Sequence, residues 1–357
     1  MKGDDNKRME KLETIILGTT EEDIEKAADI IRDGGLVAFP TETVYGLGAN
    51  GMDAVASGKI YAAKGRPSDN PMIVHIADRS ELSGLTDEVT ADMETLMDAF
   101  WPGPMTMVVK AKPEVPKVTT GGLDTVAVRM PNHPVALALI AASGVPIAAP
   151  SANASGRPSP TTGQHVIDDL DGRINAVVMG DSCQIGIEST VIDMTGEVPM
   201  ILRPGKLTEA DFEKVLGKPV ALDPALLKKP QFISCLEQQD GPAQVMDEDF
   251  KPKSPGQKYT HYAPKAEMII YKGEHEAVRL AIAEAKMERV QRGEKVGVIM
   301  YDDDNPEEAA HQFFAELRAM DKAEVDVIFA AALKEDGVGF AVMNRMFKSA
   351  GYHIIEV

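Results

Sequence analysis

The chain has 357 residues, 44% of them hydrophobic, and carries 56 acidic against 37 basic side chains for a net charge of −19 at pH 7. That length exceeds what one hydrophobic core usually serves, so two domains of a soluble globular protein are expected. The acidic balance excludes a broad nucleic-acid-binding surface, which needs lysine and arginine against phosphates, but it is compatible with one local basic cavity.

Two cysteines, Cys183 and Cys235, supply neither a disulfide framework nor a zinc cluster. No apolar run reaches membrane-spanning length, and the polar start MKGDDNKRMEKLET lacks the apolar core of a signal peptide, so a cytoplasmic location is expected.

Residues 14–17 read as a short strand. Thr20 with three acids after it then opens an amphipathic helix, whose Ile24, Ala27, Ala28 and Ile31 recur at helical spacing. The apolar run Gly35 to Phe39 is a buried strand ending in a turn. Next comes Pro40 to Gly48, with Thr41, Glu42 and Thr43 held between a proline and two glycines. It is either an ordinary strand-to-helix loop or a loop whose backbone approaches a ligand.

The spacing predicts a helix from Asp53 to Ala63, stopped by Pro67 and delivering Lys64 and Arg66 on a turn. A guanidinium fork beside an ammonium suits a polyphosphate, although cations at that position also favour the negative end of a helix dipole. Asn70 follows, and then the strand Pro71 to Ile76 carries His75, which by itself reads as a core histidine. A helix is expected over residues 88–101, with Trp101 as a packing anchor, and a strand over Met105 to Lys110.

Alternation over Asp124 to Pro131 places Thr125, Ala127 and Arg129 on one strand face, where the arginine could grip a carboxylate. After a helix over Val135 to Ala142, the strand Val145 to Pro150 delivers Ser151-Ala152-Asn153-Ala154-Ser155-Gly156. Such small donors can wrap a phosphate or ribose, or simply form a polar turn. Further strand ends present Ser189 and Arg203.

From about residue 206 the texture changes. One short helix over Lys206 to Leu216 precedes an extended linker over 217–258, which ends in the aromatic-rich SPGQKYTHYAP of residues 254–264. Residues 265–357 alternate strands (268–271, 296–300, 325–329) with helices (275–292, 306–319, 337–348). This reads as a small open α/β sheet of Rossmann type without a GxGxxG dinucleotide motif.

The ordered stretches FPTETVYGLG, KGRPSDNPMIVHI, SAN and STVID, spread over residues 15–205, resemble the YrdC/Sua5 family of L-threonylcarbamoyladenylate synthases. SPGQKYTHYAP is similar to the SPGxKYxHYxP linker of its longer branch, with Thr260 where many members carry arginine. The resemblance implies an α/β fold, with a YrdC-like twisted open sheet and concave cavity over 1–210, a linker and lid over 211–264, and a smaller Rossmann-like domain over 265–357. For that last domain a regulatory or lid-supporting role is the expectation.

The reaction it implies joins L-threonine, bicarbonate and ATP into threonylcarbamoyl-AMP and pyrophosphate, with Mg²⁺ accompanying ATP. The product would serve the modification of adenosine 37 in tRNA, with transient contact to tRNA or to the threonylcarbamoyl-transferase machinery. Residue by residue, it puts ATP against Lys64 and Arg66, which carry the catalytic charge neutralisation, and against Asn70, Thr125, Ser151, Asn153, Ser159 and Arg203. Tyr259, His261 and Tyr262 of the linker join them. It puts threonine against Thr43, His75, Arg129, Ala149 and Ser189. An RNA-binding module of the same fold is one alternative, opposed by the net charge. A carbamoyltransferase-type maturation factor is another, and it requires zinc-binding cysteine clusters that two cysteines cannot supply.

Overall fold

A computed structural model describes residues 12–227 and 261–357. Strand β1 (Ile15–Leu17) leads into helix α1 (Glu21–Arg32), where Thr20 accepts a hydrogen bond from the Asp23 amide as N-cap. Ile24, Ala27, Ala28 and Ile31 are all buried, as their spacing requires. Next come β2 (Val37–Phe39), β3 (Gly46–Asn50), α2 (Ala54–Lys64), β4 (Ile73–His75), α3 (Ala91–Phe100), β5 (Met105–Lys110) and β6 (Thr125–Arg129). They are followed by α4 (Pro134–Ser143), β7 (Ile147–Ala148), α5 (Gly163–Leu170), β8 (Ala176–Val178), β9 (Thr190–Asp193) and β10 (Met200–Arg203). Helix α6 (Glu209–Leu216), strand β11 (Ala221–Leu222) and the short helix α7 (Pro224–Leu227) complete this part.

Strands β1 to β11 form one mixed sheet in the order β1-β8-β2-β3-β7-β4-β6-β5-β9-β10-β11. Two expectations change here. Pro40 to Tyr45 is the bend of a β2–β3 antiparallel pair, with Gly46 to Gly48 already in β3, rather than a strand-to-helix loop. These glycines serve packing: a Cβ on Gly48 would lie 2.7 Å from Ile147 and 2.8 Å from the Phe39 ring. Helix α2 is ended by Gly65 in the left-handed conformation (φ +64°), two residues before the proline expected to stop it.

Strand β11 pairs in parallel with β10, so the large sheet continues past residue 210 and takes in the first part of the expected linker. Most of that linker, residues 228–260, lies outside the described residues, and with it Tyr259, Thr260 and Cys235.

The C-terminal part contains β12 (Glu267–Lys272), α8 (His275–Gln291), β13 (Val296–Ile299), α9 (Pro306–Ala323), β14 (Val327–Ala331), α10 (Gly337–Ser349) and β15 (Ile354–Glu356). Its four strands are all parallel, in the order β13-β14-β12-β15. Alternate residues of β12 and β14 face opposite layers. Ile269, Tyr271, Val327 and Phe329 pack against α8, and Met268, Ile270, Ile328 and Ala330 against α9 and α10. The second of these cores does not stop at the domain edge, for Val44, Ile187 and Tyr262 belong to it. Gly186 (φ +84°) permits the closest approach, since a Cβ there would lie 2.4 Å from the Ala310 carbonyl oxygen of α9.

Candidate active site

The ends of β2, β3, β4, β6 and β7 and the loops after β7 and before β9 surround a cavity with about 710 Å³ of empty space, counted out to its open mouth. The 40–45 bend is fixed to its neighbours by backbone bonds from Tyr45 N to Pro160 O and from Ile185 N to Glu42 O, each 2.8 Å. Inside the bend, Thr41 Oγ1 donates to the Val44 carbonyl at 2.6 Å and lies 2.8 Å from Thr43 Oγ1. Three hydrogen-bonded clusters project from this frame.

The first gathers Lys64, Ser151 and Asn153. At the last turn of α2 the Lys64 side chain is buried rather than projecting, and its Nζ donates to the carbonyl oxygens of Ser151 and Asn153. Ser151 Oγ donates to Asn153 Oδ1 at 2.5 Å, and Asn153 Nδ2 bonds the carbonyls of Ala154 and Arg157. Burial, with the nearby Arg66 charge, holds the Lys64 ammonium well below its ordinary range. Arg66 donates to the Asn70 and Pro71 carbonyls at 3.3 and 3.0 Å, and its Nε has no partner among the described residues. Burial brings its pKa down to about 10. Two desolvated cations with neutral partners form a pocket wall that an anion would stabilise.

The second cluster is Arg129, Thr43 and Glu42. Arg129 donates to Thr43 Oγ1 at 2.9 Å and to Gly103 O at 3.3 Å, and pairs with Glu42 Oε2 at 2.7 Å, all buried. Beside it His75, 3% exposed, is brought down to about 3 by burial and then by the Arg129 charge, so its imidazole is neutral at physiological pH. The His75 Nδ1 has no partner among the described residues.

The third cluster joins Ser189, Arg203 and Glu188. Arg203 donates to the Ser189 carbonyl at 3.0 and 3.1 Å and to Ser189 Oγ at 3.2 Å, and Ser189 Oγ lies 2.8 Å from Thr106 Oγ1. Glu188 accepts from Ser159 Oγ at 2.5 Å and from Arg345 Nε at 3.1 Å. Burial works against its charge, but Arg345, Arg203 and the Ser159 bond together hold the carboxyl below its usual range. Over this cluster lie His261 and Tyr262, the described end of the linker motif, anchored by Ala263 N to Gly156 O at 2.8 Å. Tyr262 packs on Phe314 of α9 with 5.0 Å between ring centroids.

Two family models together cover most of the chain. One, the Sua5–YciO–YrdC model described as "Telomere recombination", matches residues 29–205, and the threonylcarbamoyl-AMP synthase C-terminal domain matches residues 208–351. A threonylcarbamoyl-AMP synthase of Pyrococcus abyssi is 47% identical, over 96% of this chain and 100% of its own. The chain belongs to the Sua5 family. A Bacillus subtilis threonylcarbamoyl-AMP synthase is 45% identical, over 95% of this chain and 96% of that relative. Among solved structures, P. abyssi Sua5 complexed with L-threonine superposes with a TM-score of 0.87 at 47% identity, covering 96% of this chain and 100% of that one.

Within this Sua5 chain, Thr43, Lys64, Arg66, His75, Arg129, Ala149, Ser151, Asn153, Ser189, Arg203, His261 and Tyr262 all line the one cavity. Three residues marked from sequence do not. Ser159 stands behind the wall, bonded to Glu188. Asn70 offers Arg66 its backbone carbonyl. Thr125 opens β6 opposite Lys110, four residues and about 13 Å of strand from Arg129. The strand alternation that put Thr125 and Arg129 on one face was sound, but strand length carries Thr125 away from the cavity.

Glu188 and Glu42 escaped sequence reasoning. Each stands in a polar turn, and its value comes from an arginine distant in sequence, Arg345 for one and Arg129 for the other. Cys183 is buried, with its thiol pushed up to about 12 by burial, which leaves it chemically quiet.

Proposed function

We propose that the chain converts L-threonine, bicarbonate and ATP into threonylcarbamoyl-AMP and pyrophosphate. The observation carrying this reading is one cavity with a polyphosphate-type wall, Lys64, Arg66 and Arg203, facing a carboxylate-type grip, Thr43 and Arg129. The threonine nitrogen attacks the bicarbonate carbon with loss of water. An oxygen of the resulting N-carboxylate attacks the α-phosphorus as the bond to the β-phosphate oxygen breaks and pyrophosphate leaves.

In this reading Arg129, ordered by Glu42 and Thr43, receives the threonine carboxylate. Neutral His75 leaves the amino group unrepelled, and Ala149 and Ser189 complete that end. Lys64 and Arg66 neutralise the phosphates, with Ser151, Asn153 and Arg203 beside them and Asn70 and Ser159 supporting from behind. Such a step needs positioning and charge compensation rather than a side-chain nucleophile. His261 and Tyr262 roof the cavity, where a labile N-carboxylate gains from water exclusion.

The donor set does not fit a resident Mg²⁺. No group of three metal-binding side chains occurs among the described residues, and the only carboxylate among the described residues that line the cavity, Glu188, is already held by Ser159 and Arg345. Mg²⁺ would arrive on the nucleotide's own phosphates. Among the described residues no helix is long and apolar enough to cross a membrane. The product would pass, in the cytoplasm, to the machinery that transfers threonylcarbamoyl to tRNA.

The test is pyrophosphate release from ATP with and without L-threonine and bicarbonate, with L-serine as comparison. Release requiring both, and faster with threonine, is expected. A rate indifferent to both would refute the reaction. A pocket gripping the extra methyl can gain about 1–3 kcal/mol, which sets the expected preference over serine at roughly 10–200-fold.

A further inference from the structure

One side chain of the C-terminal domain bonds a residue of the cavity wall from behind. Arg345, on α10, is fully buried and stands 157 residues along the chain from Glu188, whose Oε2 it bonds at 3.1 Å. Its NH1 donates to the carbonyls of Pro204 and Ala341, so the guanidinium is fixed between Glu188 and the residue that follows Arg203. Glu188 is thus satisfied on both oxygens, by Ser159 and by Arg345. Arg203, the next cation along, is held by neutral oxygens of Ser189.

We propose that Arg345 is a positioning residue for nucleotide binding: by occupying Glu188 it keeps the Arg203 guanidinium available to a phosphate. Without Arg345 the buried carboxylate keeps two basic groups near enough to act on it, Arg203 and Lys348. Burial brings Lys348 down to about 7, which leaves its charge only partly present at neutral pH, so an ion pair with the Arg203 guanidinium becomes the cheapest compensation. That pair would cancel the charge meant for the nucleotide. The C-terminal domain therefore serves ATP binding through this contact, while the threonine end, built on Thr43, His75 and Arg129, is left alone. The inference rests on the assignment of Arg203 to the nucleotide.

Calorimetric titration of the full chain with ATP, and separately with L-threonine, tests it. Arg345→Met should raise the ATP Kd about tenfold, equal to about 1.4 kcal/mol, and move the threonine Kd less than twofold. Glu188→Gln added to Arg345→Met should recover most of the ATP affinity, because no carboxylate remains to capture Arg203. A single variant with unchanged ATP affinity, a double variant as weak as the single, or equal weakening of both ligands would overturn the proposal; the last result would mean structural support only.

Should Arg345→Met fail to fold, Glu188→Gln alone and the double variant carry the test. Their ATP Kd values should agree within about threefold, and a tenfold gap refutes the relay. Wild-type chain that binds no ATP would instead remove the nucleotide reading itself, and this inference with it.

Discussion

Asp169→Asn is the perturbation with the largest consequence that the structure lets us size. The Asp169 side chain is completely buried and accepts four hydrogen bonds: Arg157 NH1 at 2.8 Å, Arg318 NH1 at 3.3 Å, Arg318 NH2 at 2.8 Å and Ala154 N at 3.1 Å. Arg318 belongs to α9, and Arg157 continues to Asp321 of the same helix at 3.2 Å, so the carboxylate joins the two domains. Asparagine turns one acceptor oxygen into a donor that faces a guanidinium or an amide, and it removes the counter-charge of a buried arginine.

Two charge-assisted bonds lost at about 1.5–3 kcal/mol each give about 3–6 kcal/mol, matching the 3–5 kcal/mol typical of a broken buried pair. For a chain of this size that lowers Tm by about 5–10 °C. Differential scanning calorimetry reads it directly. Because Ala154 and Arg157 flank the loop on which Lys64 rests, the ATP Kd should rise as well. A Tm shift below about 2 °C would refute the assignment of Asp169 as the pin of the interface.

Three further outcomes are expected. Burial and the nearby Arg66 charge lower the Lys64 pKa and a polyphosphate beside the ammonium would raise it again, so ATP binding should take up protons over the pH range between the free and bound values, seen as calorimetric heats that differ between buffers of different ionisation enthalpy. In Lys64→Met the uptake should vanish and ATP affinity should fall at least about tenfold; equal heats in the wild type would exclude the ammonium from the site. Arg129→Lys keeps the charge but loses the planar fork, so the threonine Kd should rise about tenfold with ATP affinity unchanged, and a threonine Kd within twofold of wild type would argue against a bidentate grip. His75 and His261 both titrate at about 3 in the fold against about 6.5 unfolded, so the unfolded chain gains protons first as pH falls. The penalty is absent above pH 6.5 and grows down to pH 3, about 2 kcal/mol per histidine at pH 5, so urea midpoints should drop between pH 7 and 5, and a flat profile would mean these rings are solvated.

Local chemistry was legible wherever the determinant lies in the same few residues. Thr20 caps α1, Ile24 to Ile31 are buried, and Lys64, Arg66, Arg129 and Ser151 come to one cavity because each follows a strand or helix end that periodicity marks. What escaped depends on partners far away in sequence. Gly48 reads as a flexible loop glycine, yet it is required by Phe39 and Ile147 packing across it. Strand β15 is three residues long and takes its place only by pairing with β12. Glu188 is an unremarkable turn acid until Arg345 arrives, and Thr125 differs from Arg129 only in distance along one strand.

The placement of charge also explains how so acidic a chain suits a nucleotide. Several exposed bases are matched by neighbouring acids: Lys26 by Glu22, Arg32 by Glu25 and Asp29, Lys110 by Glu88, Lys117 by Asp124. Such pairs leave little net field for an extended polyanion, and the surplus of acids repels one. Lys64 and Arg66 have no carboxylate at ion-pair distance among the described residues, and their donors end on carbonyl oxygens. Arg203 likewise donates to Ser189, and its neighbouring acid, Glu188, is engaged by Arg345. The uncompensated positive charge is therefore buried at the foot of one cavity, where only an anion small enough to enter can meet it. Buried cations lining a cavity and resting on neutral oxygens, under a surface with a surplus of acids, argue for a small phosphate-bearing substrate rather than an extended nucleic-acid backbone.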